Sequence, residues 1–306
     1  MTPAPDNTRA AALMVLAMGF FAVEDAFIKT LGAGMGVGLL LMLTGLPAMA
    51  VFWARLRMRG RAFVTRDLAR PVVLLRTAGE IVGTLGFVTA LSRADLAATV
   101  AILQVLPLAL VLGAALFLGE RVGWRRWLSV SCGFVGVLMV LRPEMAGFDP
   151  VLLWAVMGVA GLALRDLATR LVPADLPSDL LSGAAFGALV PTGAVLILAT
   201  GEGVFWPAAL QWVWVAGTVA FGVLGYGVMV AALRMGEASM VAPFRYARLG
   251  FAMLIAALVF GERPDGPTLA GAGIIAVSGA YAMWREARTR RAAARVVAGA
   301  VRPARR

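Results

Sequence analysis

The sequence predicts an all-α integral membrane protein with ten transmembrane helices, arranged as two inverted five-helix repeats. Three observations predict this fold class. Hydrophobic residues make up 61% of the 306 residues, charged residues make up 15%, and the mean hydropathy is +0.87. Apolar segments long enough to cross a bilayer follow one another along the whole chain. The motif AALFLGER at residues 114–121 returns as AALVFGER at residues 256–263, which is 142 residues later.

The composition excludes an ordinary soluble domain, in which about 45–50% of residues are apolar and about 25% are charged. A soluble fold of this composition would have too few polar groups to cover its surface, so lipid is the expected solvent. The chain has no histidine and a single cysteine, Cys132. Disulfides, histidine-based catalysis and Cys/His metal sites are therefore unavailable, and we expect no enzyme activity, no cofactor and no metal.

The elements of the first half are separated by clear boundaries. The apolar run ALMVLAMGFFAV, residues 12–23, leads into Glu24 and Asp25 without a small-residue cleavage site, so it predicts a retained first span rather than a signal peptide. The glycines between Gly32 and Gly38 end this span, and the basic stretch from Arg55 to Arg70 ends the second. The first five spans are expected at residues 10–31, 36–54, 71–91, 96–118 and 124–141.

The elements of the second half are bounded mainly by proline. Pro143 precedes the sixth span, Pro173 and Pro177 follow it, and Pro264 and Pro267 separate the ninth span from the tenth. Proline also lies inside two predicted spans, at Pro107 in the fourth and Pro243 in the ninth, where it frees main-chain carbonyl groups. The last five spans are expected at residues 150–171, 179–200, 210–233, 238–260 and 266–285.

The positions of the arginines predict the orientation. The net charge is +11, and most arginines lie at the span ends that share a side with the N-terminus. The positive-inside rule therefore places both termini in the cytoplasm, as an even number of spans requires. The opposite ends hold only Lys29, Arg93, Arg142 and Arg263. The arginine-rich tail, residues 286–306, is expected to contact lipid headgroups rather than nucleic acid.

The repeat divides the chain into residues 10–141 and residues 150–285. Asp25 aligns with Asp166 and Lys29 with Arg170 at an offset of 141. Because five spans are an odd number, the second copy enters the membrane upside down. Gly119-Glu120-Arg121 is then cytoplasmic, whereas Gly261-Glu262-Arg263 is on the outer side. Inverted repeats of this kind are typical of secondary transporters, whose two halves exchange conformations and so open a central site alternately to each face.

The stretches that contain the repeated Gly-Glu-Arg, residues 106–143 and 242–279, resemble the EamA-type family of the drug/metabolite transporter superfamily. The resemblance extends over residues 10–286. It implies ten helices, an inverted repeat and a central substrate cavity. EDAFIK at residues 24–29 and RYARLGF at residues 245–251 are similar to a branch with riboflavin and S-adenosylmethionine carriers.

Charged residues inside the predicted spans indicate the site. Each charge in the middle of a spanning helix costs about 2.5–3.5 kcal/mol, so these groups must pair or line a hydrated cavity. The charges are Glu24, Asp25, Arg76, Glu80, Arg165, Asp166, Arg245 and Arg248. The candidate substrate-binding residues are Asp25, Arg76, Glu80, Gln104, Asp166, Tyr226, Arg245, Tyr246 and Arg248, and the candidates for proton coupling are Asp25, Glu80 and Asp166.

Several roles stay open at this point. Arg76 and Glu80, four residues apart, share a helix face and form either a self-contained ion pair or part of a cavity wall. Arg245 and Arg248 repel each other, so each needs an anion, supplied by a carboxylate of the protein or by an anionic substrate group. Lys29 lies near a helix end and is expected to extend to the interface as an anchor.

The expected function is secondary transport of a small polar or amphipathic metabolite across a bacterial inner membrane. The resemblance implies an amino-acid-like or a nucleoside- or cofactor-like substrate, such as riboflavin or S-adenosylmethionine. Proton coupling, the direction of transport and the choice between monomer and homodimer stay open. The expected partners are a small molecule and the lipid bilayer, with no nucleic acid. A lipid-carrier flippase, or another lipid-active membrane protein, is the main alternative. A carboxylate-dyad enzyme is disfavoured because Glu24 and Asp25, as helix neighbours, point about 100° apart.

Overall fold

The computed structural model describes residues 6–117, 123–141, 149–173, 175–235, 242–281 and 284, and this part of the chain is helical without strands. The first half contains α1 (Asn7–Gly32), α2 (Val37–Met58), α3 (Pro71–Arg93), α4 (Leu96–Leu103), α5 (Leu106–Phe117) and α6 (Trp124–Leu141). The second half contains α7 (Leu152–Leu171), α8 (Ser178–Thr200), α9 (Ala209–Met235), α10 (Ala247–Val259) and α11, residues 266–281. Short 3₁₀ turns at Arg66–Ala69 and Ala242–Tyr246 precede α3 and α10.

The helices account for the ten predicted spans, since α4 and α5 together form one of them. Seven spans of the described chain, with α4 and α5 counted as one, are long and apolar enough to cross a bilayer, and α6 carries a shorter apolar stretch at Trp127–Leu141. The fold class predicted from the sequence is confirmed: the protein is an all-α membrane protein of two inverted five-helix repeats. The predicted tail, residues 286–306, lies outside the described residues.

The packing of the helices follows a pseudo-twofold axis. The largest interfaces join α3 with α7, α1 with α9, and α2 with α8. A rotation that exchanges the two halves turns the α3–α7 pair into the α9–α1 pair, and it maps the α2–α8 pair onto itself. All three pairs are antiparallel, because the residue numbers of the facing positions rise along one helix and fall along the other, as in the contacts of Gly79 with Arg165 and of Gly86 with Gly158.

Small residues allow α3 and α7 to pack closely. A Cβ at Gly86 would lie 2.6 Å from the main-chain nitrogen of Gly158, and one at Gly83 would lie 2.8 Å from the main-chain nitrogen of Leu162. The Gly79-x-x-x-Gly83 spacing therefore serves helix packing, as small-xxx-small motifs do in membranes. This close approach brings the charged residues of α3 within reach of those on α7.

The helix of the fourth span is broken at the position that matches a 3₁₀ turn in the ninth span. Gln104 and Val105 separate α4 from α5, and the 3₁₀ turn that contains Arg245 and Tyr246 gives way to α10. Gln104 and Arg245 are related by the repeat offset of 141, and the Gln104 side-chain amide donates to the Arg245 main-chain carbonyl at 3.2 Å. All residues of α4 are buried. The two interruptions therefore meet in the centre of the molecule, where main-chain polar groups are freed for hydrogen bonding.

Candidate functional site

Asp25 and Arg248 form a two-point ion pair between α1 and α10. The Arg248 Nε donates to the Asp25 Oδ2 at 2.9 Å, and the Nη2 donates to the Oδ1 at 2.6 Å. Asp25 is fully buried. The rings of Phe21 and Phe87 lie 5.3 and 5.6 Å from the guanidinium carbon, so aromatic faces replace water around the cation. The pair matches the planar fork of arginine to a carboxylate and ties α1 to α10.

Glu80 and Asp166 are brought together by Arg165. The Arg165 Nη1 lies 3.1 Å from the Glu80 Oε1, and the Nε lies 2.8 Å from the Asp166 Oδ1. The hydroxyl of Thr84 also donates to Glu80, at 3.3 Å. One arginine on α7 thus satisfies an acid on its own helix and an acid on α3, which the close α3–α7 packing makes possible.

Arg76 is held by groups other than the acid four residues along its helix. Its Nε donates to the hydroxyl of Thr169 at 3.1 Å, and its Nη1 donates to the main-chain carbonyl of Leu181 at 3.0 Å. The Glu80 carboxylate lies 4.0 Å away, at the limit of an ion pair. Arg76 therefore connects α3 with α7 and α8, and the Arg76–Glu80 pair is not self-contained. We refer to Arg76, Glu80, Arg165 and Asp166 as the α3–α7 charge cluster.

Arg245 and Tyr246 lie at the central interruption with different surroundings. Arg245 is exposed, and within the described ranges no carboxylate forms an ion pair with it. Asp166, Arg165 and Arg248 are charged groups that act on it electrostatically. The hydroxyl of Tyr246 is buried, has no hydrogen-bond partner in the described chain, and lies against Gly279. Gln104 is buried and contacts Arg245 through the main chain.

Glu24 is a membrane-embedded acid that the sequence-based selection of site residues did not include. It is half-buried and packs on Gly222 of α9, where a Cβ would lie 2.5 Å from its Oε1. Among the described residues it forms no ion pair, unlike its neighbour Asp25. The sequence holds a signal for Glu24, which is its position next to Asp25. Side chains of consecutive helix residues point in different directions, so an arginine that binds Asp25 leaves Glu24 available for another role.

A cavity of about 480 Å³ opens at the face where α1 begins and α2 ends, which we call the N-terminal face. Arg55, Arg59, Arg61, Asp179 and Tyr226 are among its lining residues. Asp179 is buried and binds Arg59 at 2.7 Å and Arg55 at 3.6 Å, which fixes two of the arginines at the rim. Tyr226 in the cavity wall also interacts electrostatically with Arg76, which links the cavity to the α3–α7 charge cluster although the cluster itself does not line it.

At the opposite face, a cluster around Glu262 joins α1 to α4, and we call it the Lys29–Glu262 latch. The Lys29 Nζ lies 2.9 Å from the Glu262 Oε1 and donates to the Ala94 carbonyl at 2.5 Å. Glu262 accepts hydrogen bonds from the main-chain amides of Leu96 and Ala97, at 3.1 and 3.4 Å, and so caps α4. Lys29 is 17% exposed, so the prediction that it extends to the interface as an anchor is wrong.

Next to the latch lies a smaller cavity of about 200 Å³, lined by Asp95, Glu262 and Arg263 among others. Burial, followed by the nearby Glu262 carboxylate, raises the pKa of Asp95, and Lys29 acts against this rise. Glu120 and Arg121, which the repeat relates to Glu262 and Arg263, lie outside the described residues.

Comparisons with known proteins agree with this architecture. The profile of the EamA-like transporter family matches residues 8–142 and 149–284. The chain is 28% identical over 223 residues to the S-adenosylmethionine uptake transporter of Rickettsia bellii, covering 72% of this chain and 76% of that one. It is 30% identical over 223 residues to the riboflavin transporter of Rhizobium johnstonii, covering 71% and 72%, respectively.

A solved crystal structure of a protein superposes with a TM-score of 0.61 over 92% of this chain and 99% of the other, at 22% sequence identity. This likeness concerns the fold. The family profile, by contrast, matches both repeats and almost the whole described chain. With two inverted bundles, a central set of charges and a profile match in each half, the chain belongs to the EamA-like transporter family.

Proposed function

We propose that this protein is a secondary carrier in a bacterial inner membrane and moves a small polar or amphipathic metabolite by alternating access. The repeats at residues 10–141 and 150–285 form the two halves, and the basic tail at residues 286–306 lies in the cytoplasm with the N-terminus. The arginine-rich N-terminal face supports this orientation through the positive-inside rule. The protein acts without a catalytic site, a cofactor or a nucleic acid, as a monomer or a homodimer.

The observation that carries this proposal is the difference between the two faces of a molecule built from two similar halves. At the N-terminal face a cavity of about 480 Å³ is open, and Tyr226 in its wall interacts with Arg76 of the α3–α7 charge cluster. At the opposite face the Lys29–Glu262 latch joins α1, α4 and the segment after α10. An opening at one face, together with an ion-paired contact at the other, is the arrangement that one state of an alternating-access carrier requires.

The transport cycle follows from this asymmetry. In the arrangement described, a metabolite enters from the N-terminal face and reaches Tyr226, Arg76, Glu80 and Asp166. Opening the other face requires separation of Lys29 from Glu262 and release of the α4 amides. The deeper groups, Gln104, Arg245, Tyr246 and the Asp25–Arg248 pair, lie where both half-pathways meet.

Names of relatives support the substrate class. Relatives named as S-adenosylmethionine uptake transporters and as riboflavin transporters match at 26–30% identity. The substrate proposed for this chain is accordingly an amino-acid-like or cofactor-like metabolite. The charged groups that line the route favour a polar molecule over a polyprenyl lipid, because a lipid tail would need an apolar path continuous with the bilayer.

Proton coupling forms part of the proposal, with Asp25, Glu80 and Asp166 as the coupling carboxylates. Each of them binds an arginine, so protonation would break an ion pair and loosen the contact between two helices. Binding of a proton to one of these carboxylates would therefore change the relative stability of the carrier's two conformations. Equal substrate uptake into proteoliposomes with and without a pH gradient would remove coupling from the proposal.

The carrier function is tested with purified protein in proteoliposomes. Uptake of S-adenosylmethionine, riboflavin and a panel of amino acids and nucleosides is measured against protein-free vesicles, together with the scrambling of a fluorescent lipid. We expect saturable uptake of at least one metabolite and no lipid scrambling. Lipid scrambling without metabolite uptake would instead support the flippase alternative.

Orientation and access are tested by single cysteines in a Cys132→Ala background. Arg61→Cys, in the cavity, is expected to react with a membrane-impermeant maleimide from the cytoplasmic side, and Arg93→Cys from the outer side. Reaction of both from the same side would contradict the proposed arrangement.

A further inference from the structure

We propose that Arg245 binds a carboxylate group of the transported metabolite, so that the carrier selects organic carboxylates. This inference rests on the proposed carrier function and names the substrate class of the same central site.

Arg245 lies on the side of its span that faces the protein core. The buried residues of α10 are Leu249, Ala252 and Ala256, a helical stripe in which successive members are three or four residues apart. Arg245 lies in the 3₁₀ turn directly before α10, four residues before Leu249, at the end of this stripe. The lipid-facing stripe of the same helix, which includes Leu254 and Leu258, is a different one. Arg245 therefore points inward, and yet the residue is exposed.

An exposed residue on an inward-facing stripe indicates solvent-accessible space inside the bundle. Leu249, Ala252 and Ala256, the other members of the stripe, have exposures of 6%, 0% and 0%, so along this stripe the exposed residue is Arg245. Gln104, which is buried, binds the main-chain carbonyl of Arg245 and holds the residue in place. The guanidinium thus sits on a fixed main chain beside an interior space, where a ligand can approach it.

No carboxylate of the described spans contacts the Arg245 guanidinium, and Asp166 acts on it only over a longer distance. Arg248 is bound at two points by Asp25, and Arg165 is bound by Glu80 and Asp166. Arg76 has Thr169 and the Leu181 carbonyl. The remaining acid, Glu24, packs on α9 against Gly222. In the described chain, Arg245 is consequently the membrane-embedded arginine whose guanidinium has neither an ion pair nor a hydrogen bond.

An unpaired guanidinium at this depth needs an anion, because an isolated charge in the membrane is costly. A single arginine supplies one positive charge and a planar fork, which match the single charge and the two oxygens of a carboxylate. A phosphate monoester carries close to two charges near neutral pH and would leave one without a partner. The charge balance therefore favours a carboxylate over a phosphate.

The inverted repeat strengthens this assignment. The position related to Arg245 in the first half is Gln104, which is uncharged. The two halves thus contribute a cation and an amide to the same central point, which supplies one positive charge there rather than two. Such a site fits a substrate with one carboxylate, such as an α-amino acid or a derivative of one.

The test combines ligand binding with a charge-matched series at position 245. Thermal stabilisation of the purified full-length protein is measured with S-adenosylmethionine, which has a carboxylate, with riboflavin, which has none, and with amino acids and their primary amides. Wild type, Arg245→Gln and Arg245→Lys are compared, with Arg93→Gln as a surface control. Ligand-free unfolding temperatures show whether each variant folds.

We expect carboxylates to stabilise the wild type and their amides to fail. Arg245→Gln is expected to weaken carboxylate binding by about 10- to 100-fold, the usual loss for a charged hydrogen bond. Arg245→Lys should retain part of the affinity, and Arg93→Gln all of it. If Arg245 had only a structural role, Arg245→Gln would have a lower ligand-free unfolding temperature than the wild type but would still bind carboxylates in preference to amides.

Two results would overturn the inference while leaving the carrier function intact. One is carboxylate binding to Arg245→Gln with the affinity of the wild type. The other is selective binding of riboflavin or of the amides by the wild type. Absence of both binding and uptake for the whole panel would remove the proposed carrier function, and the inference with it.

Discussion

Lys29 on α1 and Glu262 beyond the end of α10 form an ion pair of 2.9 Å at the face opposite the N-terminal face. The same carboxylate accepts the first main-chain amides of α4, so one side chain joins three segments of both repeats. The positive end of the α4 dipole and the Lys29 ammonium both stabilise the negative charge on Glu262. Several contacts that hold this face closed therefore depend on one carboxylate.

The first prediction concerns this latch. Glu262→Gln removes the negative charge and keeps the shape, so it weakens the contact with Lys29 and the cap of α4. We expect Ala98→Cys, a buried position that lines the cavity beside the latch, to react faster in this background with an impermeant maleimide from the outer side. The increase should be several-fold to about 100-fold, because a half-buried charged hydrogen bond contributes about 1–3 kcal/mol. Arg263→Gln, at the exposed neighbouring position, is the matched control. Equal labelling rates in wild type and Glu262→Gln would show that the latch does not hold the face closed.

The second prediction concerns the buried pair of Asp25 and Arg248. Asp25→Asn leaves the Arg248 cation buried between two phenyl rings without its carboxylate. Removing one partner of a buried ion pair costs about 3–5 kcal/mol, so we expect a clear fall in the unfolding temperature of the detergent-solubilised protein. Glu24→Gln, at the next residue, should cost much less because Glu24 has no ion pair in the described chain. A larger loss for Glu24→Gln than for Asp25→Asn would contradict the assigned partners.

The third prediction concerns the contact between α3 and α7. Gly86→Leu places a branched side chain where even a Cβ would lie 2.6 Å from the Gly158 main chain, so the two helices must separate. Main-chain atoms cannot yield as a flexible side chain can, and overpacking typically costs about 1–3 kcal/mol or more. Gly250→Ala, with open space around the added carbon, is the control and should keep or raise the unfolding temperature. Similar unfolding temperatures for both variants would mean that α3 and α7 are further apart than described.

The fourth prediction concerns the pH dependence conferred by Asp95. Its pKa is raised above the ordinary value of 3.8, first by burial and then by Glu262. In the folded state it therefore keeps its proton to a higher pH than in the unfolded state. The stability that this gives is fully present below pH 3.8 and is lost as the pH rises through the folded pKa.

Asp95→Asn removes this titration. The unfolding temperature of Asp95→Asn should fall less than that of the wild type as the pH is raised from about 4 through the folded pKa. The effect is small because Asp95 is partly exposed to solvent, which screens the interaction. Parallel curves for the two proteins in this range would contradict the assignment.

Much of the fold follows from the sequence alone. Long apolar runs must form helices in a bilayer, because lipid offers no partner for main-chain groups. Hydropathy therefore fixed the approximate positions of the spans, and the repeated Gly-Glu-Arg motif, with an odd number of spans per copy, fixed the inverted arrangement. Because a charge inside the membrane is costly, the charged residues within the predicted spans could also be recognised as groups that need a partner.

Only the tertiary structure decided which partner each charge has. Spacing along one helix pairs Arg76 with Glu80, yet Arg165 from α7 takes that acid, because glycines bring α3 and α7 together. Lys29, near a helix end, binds Glu262 from the other repeat rather than the interface. Sequence periodicity reports the face of one helix, whereas an ion pair between helices depends on their tilt, rotation and separation. Those quantities are set by packing across the pseudo-twofold axis, which no local pattern encodes.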